Sequence, residues 1–291
     1  MRIVLASVFI ALLLAGTAAA REEEEAPPEC RYDTAGQVDY AACAAAAPIG
    51  SPWRSLSLIN LGTQAFLRAD YASASRYYDD AQPTNGDTFY SDPTYHAFHA
   101  ATLHQVGRSS EAINEARRAL AMLRNSDELP QEVRRRFASR SIDVEAVYVA
   151  ILPVLHSAND SELESVRNAY LAMPAYDWVS WANRAGVLEQ IGDLDGALRA
   201  NAEALRLEPS HPSVLNNQCF ILVRAGRAGE ALPYCERARA EAPEIAAVRH
   251  SVASALAALG RCDDAEREMA EARRLDPVSA EYAQPLQCVG N

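Results

Sequence analysis

The chain has 291 residues, 49% of them hydrophobic, and a formal charge of −12 at pH 7. That charge repels phosphate backbones and anionic lipid surfaces, which sets nucleic-acid and membrane-surface binding aside. Every fixed cation is an arginine, because the sequence contains no lysine, so Schiff-base and lysine general-base chemistry has no side chain to run on.

Residues 1–20, MRIVLASVFIALLLAGTAAA, place Arg2 before an apolar run from Ile3 to Ala15 and end in small residues, with Ala18 and Ala20 at the positions read by a signal peptidase. The expectation is a secretory signal cleaved after Ala20 and a periplasmic or secreted mature protein without membrane insertion. The apolar run is shorter than the about 20 residues of a membrane span. Thr17 stands where a lipoprotein would carry its cysteine. Residues 21–52, with the acidic run Glu22 to Glu25 and an alanine cluster, show no sustained apolar period and predict a flexible, irregular leader. The six cysteines, Cys30, Cys43, Cys219, Cys235, Cys262 and Cys288, are even in number and form no C-x-x-C pair. In a chain bound for an oxidising compartment, they predict disulfides rather than a metal site.

Further along, GALRANAEALRLEP at 196–209 returns as EALPYCERARAEAP and again as DAEREMAEARRLDP. Pro209, Pro243 and Pro277 are evenly spaced, and Ala197, Ala231 and Ala265 recur at the same interval. A fixed period of this length means helix pairs, each too small to bury its own apolar face, stacked into an array. The residues resemble the tetratricopeptide repeat. The unit from Trp178 carries Trp181, Ala185, Leu188, Gly192, Asp193, Ala197, Ala204 and Pro209 at the family's places. The next two units supply Leu215, Cys219, Leu222, Gly226, Ala231, Ala238 and Pro243, then Ala253, Leu256, Gly260, Ala265, Ala272 and Pro277. Upstream, residues 53–126 hold two looser copies, one with Gly62, Asp70, Ala74 and Tyr78, the other with Leu103, Gly107, Ala112 and Ala119.

Residues 127–177 predict a degenerate unit with an insertion and a long or split helix. There Glu162 takes the small-alanine place and Pro153 lies inside the first helix, where a kink is expected. Pro233 falls near the start of its helix, where a missing N–H is tolerated. Residues 280–291 read as a cap. The resemblance implies an all-α, right-handed superhelical solenoid of antiparallel helix pairs, about six units in all. Within the repeat frame Cys219 and Cys235 face each other across one hairpin, Cys288 lies in the cap over the hairpin that holds Cys262, and Cys30 with Cys43 remain as the third pair.

The segment HAFHAATLH offers His96, His99 and His104. His99 and His104 diverge by about 140° on a helix, and the repeat frame places His96 and His99 between helices, as packed residues rather than ligands. Asp193 and Asp195 belong to a turn, and the run Arg134, Arg135, Arg136 and Arg140 reads as a solvated helix face. No nucleophile elbow, H-E-x-x-H or phosphate-cradling loop occurs, so neither a catalytic residue nor a cofactor is expected.

What remains is the inner wall of first helices, which in the family often holds an extended peptide through asparagines. Asn183 and Asn217 stand at equivalent places one repeat apart, with Trp178, Glu189, Asn216, Phe220, Arg224 and His250 around them. The reading is a non-enzymatic scaffold of the bacterial cell envelope whose partner is a protein or extended peptide. The alternatives are an accessory or metal-dependent subunit of an envelope enzyme using His96 and His99, and a self-associating structural protein.

Overall fold

A computed structural model describes residues 26–34, 36–81, 92–125, 143–277 and 279–289. The signal segment 1–20, the acidic run 22–25 and the arginine run 134–140 lie outside these residues. The described residues are helical, with no strand among them. They divide into two compact units, one up to Tyr170 and one from Leu171.

The first unit holds α1 (Tyr40–Ala46), α2 (Pro52–Leu67), α3 (Tyr71–Ala81), α4 (Pro93–Gln105), α5 (Ser109–Arg124), α6 (Val144–Ser157) and most of α7 (Leu163–Ala172). The leader is more ordered than its composition suggests. Asp39 accepts hydrogen bonds from Ala41 N and Ala42 N at 3.0 Å each and starts α1 in the alanine cluster. The bridge Cys30–Cys43 then holds that helix, with Cα atoms 4.6 Å apart, and α1 packs on α2. Alanine has the highest helix propensity, so a cap and a cross-link suffice to order a short helix that carries no apolar period.

In the same unit α2 pairs with α3 and α4 with α5, and α6 lies against both α4 and α5. Tyr78 is 1% exposed, and its ring occupies the space beside Gly62, where a Cβ would come within 2.9 Å of it.

The second unit repeats with the period read from the sequence. First helices α8 (Trp178–Gln190), α10 (Pro212–Arg224) and α12 (Ala246–Ala258) begin one period apart, as do second helices α9 (Leu194–Leu207), α11 (Ala228–Glu241) and α13 (Cys262–Leu275). The short α14 (Ala280–Ala283) begins at the next multiple. Each hairpin packs internally, each second helix meets the following first helix, and α10 touches both α8 and α12. Ala197, Ala231, Ala265, Ala204, Ala238 and Ala272 are at most 1% exposed, so small side chains set the close approach of the helices.

One turn recurs in both units. Ala69, Gly107, Asn159, Gly192, Gly226 and Gly260 have φ between 49° and 83°, and the next N–H reaches back to the carbonyl five residues earlier, as in Arg227 N to Leu222 O at 2.8 Å. This bond closes a helix C-terminus and reverses the chain.

The turn corrects the register in 127–177. Asn159 marks the reversal that follows the one at Gly107, and the chain between them is longer than one period, with the surplus falling before α6. Helix α7 starts four residues after Asn159 instead of two, Glu162 sits in the turn, and the buried place belongs to Val166, 1% exposed. Helix α6 runs through Pro153 from Val144 to Ser157. Pro233 is the sixth residue of α11, past the first turn, and its ring faces the carbonyl of Gly229, a position with open space around it. The helix keeps the bounds of its equivalents although the proline lies past the first turn, where its missing N–H leaves the Gly229 carbonyl without an intrahelical donor.

The bridge Cys219–Cys235 joins the two helices of the middle hairpin, with Cα atoms 5.0 Å apart. Cys262–Cys288, at 5.7 Å, ties the segment after α14 back to the start of α13. These are the pairs that the repeat frame and the cap imply.

Candidate functional site

The wall residues lie on α8, α10 and α12, and the first two of these start from a capped end. Asp177 accepts from Ser180 N at 2.8 Å, and His211 accepts from Ser213 N at 3.3 Å ahead of Pro212. Asparagines 183 and 217 are not open to solvent. Asn183 is 9% exposed, and its Oδ1 finds no donor among the described residues. Asn217 is 5% exposed and donates Nδ2 to Ala182 O on the neighbouring first helix at 3.4 Å. Asn217 therefore acts as a clip across the seam between the first helices α8 and α10.

Trp178 stacks on His211 with centroids 4.0 Å apart and packs against Ala182, Ala204 and Val214, which makes it part of the junction between hairpins. Glu189 is 1% exposed and is ion-paired with Arg224, whose side chain stays half exposed. Burial pushes the Glu189 carboxyl above the ordinary range, and the Arg224 guanidinium pulls it back part of the way. The two form an internal α8–α10 pair rather than two separate wall groups.

Among the side chains left at least partly exposed on α10, Ser213, Asn216, Phe220 and Arg224 are spaced for one helix face, with His250 beside them on α12. Phe220 and His250 have ring centroids 6.3 Å apart. His250 also meets Tyr282 of α14 at 5.2 Å, and its Nδ1 lies 3.7 Å from Glu281 Oε1. Burial lowers the His250 pKa, and Glu281 opposes that shift. At the start of this stripe a cleft of about 570 Å³ is lined by Ser213, Asn216 and Asn217 of α10, residues 244–248 at the start of α12, and Leu275 with Asp276. The Oδ1 of Asn216 is buried there and unpaired among the described residues.

The sequence reading missed Asn201, which takes the place that the family gives to an aromatic. It is fully buried and donates Nδ2 to Val214 O at 3.1 Å and to Gln218 Oε1 at 2.9 Å, fastening α9 to α10. A polar residue between Ala197 and Ala204 was the available signal.

In the first unit His96 is fully buried, with Nδ1 2.5 Å from Glu115 Oε2. His99 is 12% exposed, and its nitrogens lie 3.9 Å from Asp79 Oδ1 and 3.9 Å from Glu115 Oε2 without a hydrogen bond. Burial lowers its pKa against the pull of both carboxylates. His104 instead approaches Ser157 Oγ at 3.4 Å. No group of three or more His, Cys, Asp or Glu side chains among the described residues is arranged to hold a metal ion. No described helix is long and apolar enough to cross a membrane.

A family model described as tetratricopeptide repeat matches residues 222–286. The crystal structure of a tetratricopeptide repeat protein from Parabacteroides merdae ATCC 43184 is similar, with 13% identity and a TM-score of 0.57 over 84% of this chain and 86% of that one. PilW, a widely conserved type IV pilus biogenesis factor, gives 17% identity and a TM-score of 0.48 over 79% and 96% of the two chains. YrrB, a TPR protein with an unusual peptide-binding site, gives 15% and 0.37 over 67% and 91%. A search of the curated proteins gave no match. The family model supports a tetratricopeptide repeat within residues 222–286, and the Parabacteroides structure supports the fold of paired helices.

Proposed function

We propose that the protein is a non-enzymatic scaffold of the bacterial cell envelope that binds an extended segment of a partner protein along the exposed stripe of α10 and α12. The envelope setting rests on residues 1–20, which read as a secretory signal. The observation that carries the binding reading is the cleft at the start of the stripe, lined by the partly exposed Asn216 beside Ser213. An amide side chain both donates and accepts, so it serves an extended peptide of any sequence. Phe220 offers apolar contact and Arg224 the part of its guanidinium that Glu189 leaves free for an acceptor.

Binding therefore falls to Asn216 and Phe220 more than to Asn183 and Asn217, which are buried. With a partner in hand, Asn216→Ala and Phe220→Ala should each cost about 1 kcal/mol or more of binding and together weaken it about thirtyfold or more. Calorimetry reads this directly. Unchanged affinity in the double variant, with an intact helical spectrum, sinks the reading.

A further inference from the structure

The three disulfides differ in access. Cys219 and Cys235 are fully buried, and Cys30 and Cys43 are 2% and 1% exposed, whereas Cys262 and Cys288 both remain partly exposed. They differ too in what they hold. The first two bridges lie inside packed elements, but Cys262–Cys288 is the covalent hold on the segment 280–289.

That segment behaves as a strap. Tyr282 is 3% exposed among Ala246, Ala253, Met269 and Ala272, and its carbonyl accepts from Arg273 Nε at 2.8 Å. Leu286 lies half-buried on the same end of the last hairpin, and Val289 N donates to Ala257 O at 3.1 Å. Between these contacts Gln284, Pro285 and Gln287 are exposed.

We propose that Cys262–Cys288 is a thiol–disulfide exchange site, open to a dithiol reductant, and that its opening releases the strap from α12 and α13. Cys262 is the first residue of α13, so a thiolate leaving there is stabilised by the positive end of that helix. One thiolate of the dithiol attacks Cys288 Sγ, the Cys262–Cys288 bond breaks, and Cys262 departs as a thiolate that takes up a proton. The second thiol of the reductant, as its thiolate, then attacks the mixed disulfide and frees Cys288, which is protonated in turn. The dithiol is left as a disulfide, having given two electrons and two protons. Rates of such exchange follow access, and access singles out this bridge. Release takes Tyr282 and Glu281 off His250, so the state of the bridge also sets the surroundings of one stripe residue. The site does not depend on the partner-binding reading.

The test is graded reduction of the oxidised full chain with dithiothreitol, alkylation of the freed thiols and peptide mapping, followed by hydrogen exchange. Cys262 and Cys288 should be alkylated at least tenfold faster than the other four cysteines. At that stage peptides covering 280–289 should lose protection while those from 178–258 keep theirs. Equal reactivity of Cys219 and Cys235, or a strap that stays protected with its bridge open, overturns the proposal. The double variant Cys262→Ser with Cys288→Ser should show the released strap without reductant. If that variant does not fold, graded reduction of the native chain decides alone.

Discussion

The hairpin α6–α7 and the three hairpins from α8 to α13 use the same reversing turn, yet they fill their cores differently. In the regular hairpins buried alanines at Ala197, Ala204, Ala231 and Ala238 let second helices approach closely, and the period stays constant from one hairpin to the next. In α6–α7, with two residues added after Asn159, Val166 takes the place of Ala197 and Tyr170 that of Asn201, both 1% exposed. Tyr170 stacks on Tyr148 with centroids 6.2 Å apart. Buried alanines follow the turn in the first unit as well, at Ala74, Ala81, Ala112 and Ala119, yet α3 and α5 begin farther apart than one period, so the constant spacing belongs to the second unit alone.

The sharpest way to break this comparison is to remove the large residue. Tyr170→Ala should cost about 3–5 kcal/mol, since the cavity it leaves has no small-residue packing to close it. Ala204→Gly, at the crossing of a regular hairpin, should cost only about 1 kcal/mol through helix propensity. Urea denaturation followed by circular dichroism measures both. Equal costs would show that the two hairpins share one packing logic after all.

The contrast also explains what was legible in the sequence. The period made the regular hairpins readable to the residue, because Gly192, Gly226 and Gly260 all stand where the chain needs a left-handed conformation. Asn159 serves the same turn, but asparagine is common elsewhere and no glycine marked the place. Helix α1 was invisible to a search for apolar periodicity, since its order comes from Asp39, from alanine and from a cross-link. For the candidate site, the repeat frame identified the right helices but not which side chains stay open. Asn183 is buried, Asn217 is bonded to Ala182 of the neighbouring first helix and Glu189 is taken up by Arg224, because burial depends on how neighbouring helices pack.

A second test concerns charge inside the regular block. Arg224→Ala leaves the Glu189 carboxylate buried and unpaired, which should cost about 1–3 kcal/mol at pH 7. Burial already raises the Glu189 pKa in the folded chain, so folding favours its protonated form. The stability this carboxyl allows is full below its unfolded pKa and is lost as pH rises through the folded one. The variant's deficit should therefore shrink on acidification, and Glu189→Gln should be the milder change. Denaturation midpoints for both variants at pH 7 and pH 5 read the difference. A deficit in Arg224→Ala that does not change with pH would detach it from Glu189.

The shared turn gives a smaller and oppositely signed pair of effects. Ala69 has φ 61° and bears a Cβ in a left-handed conformation, whereas Gly226 has φ 73° without one. Ala69→Gly should stabilise the first unit and Gly226→Ala should destabilise the second, each by about 1 kcal/mol. Thermal melts of the two variants should move in opposite directions. Movement in the same direction would mean that the turn conformation is not what the two positions share.

The smallest effect expected is a pH slope that begins in the first unit. His99 on α4 is enclosed by Tyr78 and Asp79 of α3, Glu115 of α5, and Tyr95 and His96 of its own helix, with Arg108 bonded to Asp79 at 2.6 Å. The two carboxylates favour its charged form, but burial outweighs them and its folded pKa falls below the ordinary 6.5. The unfolded chain therefore takes up the proton first, and stability declines as pH drops from about 7 through the folded pKa. Glu115 acts in a separate window, because its folded pKa lies below 4.5 and its contribution is lost only in more acid solution. His104 and His250 are lowered by burial as well and add to the same slope as His99. Replacing His99 with leucine should flatten the slope between about pH 7 and 5 in part, and His104→Asn should flatten it less, since that ring is only half-buried. Urea midpoints at half-unit steps of pH give the comparison. A slope left unchanged by His99→Leu would mean that the two carboxylates cancel the effect of burial, and a steeper one that they outweigh it.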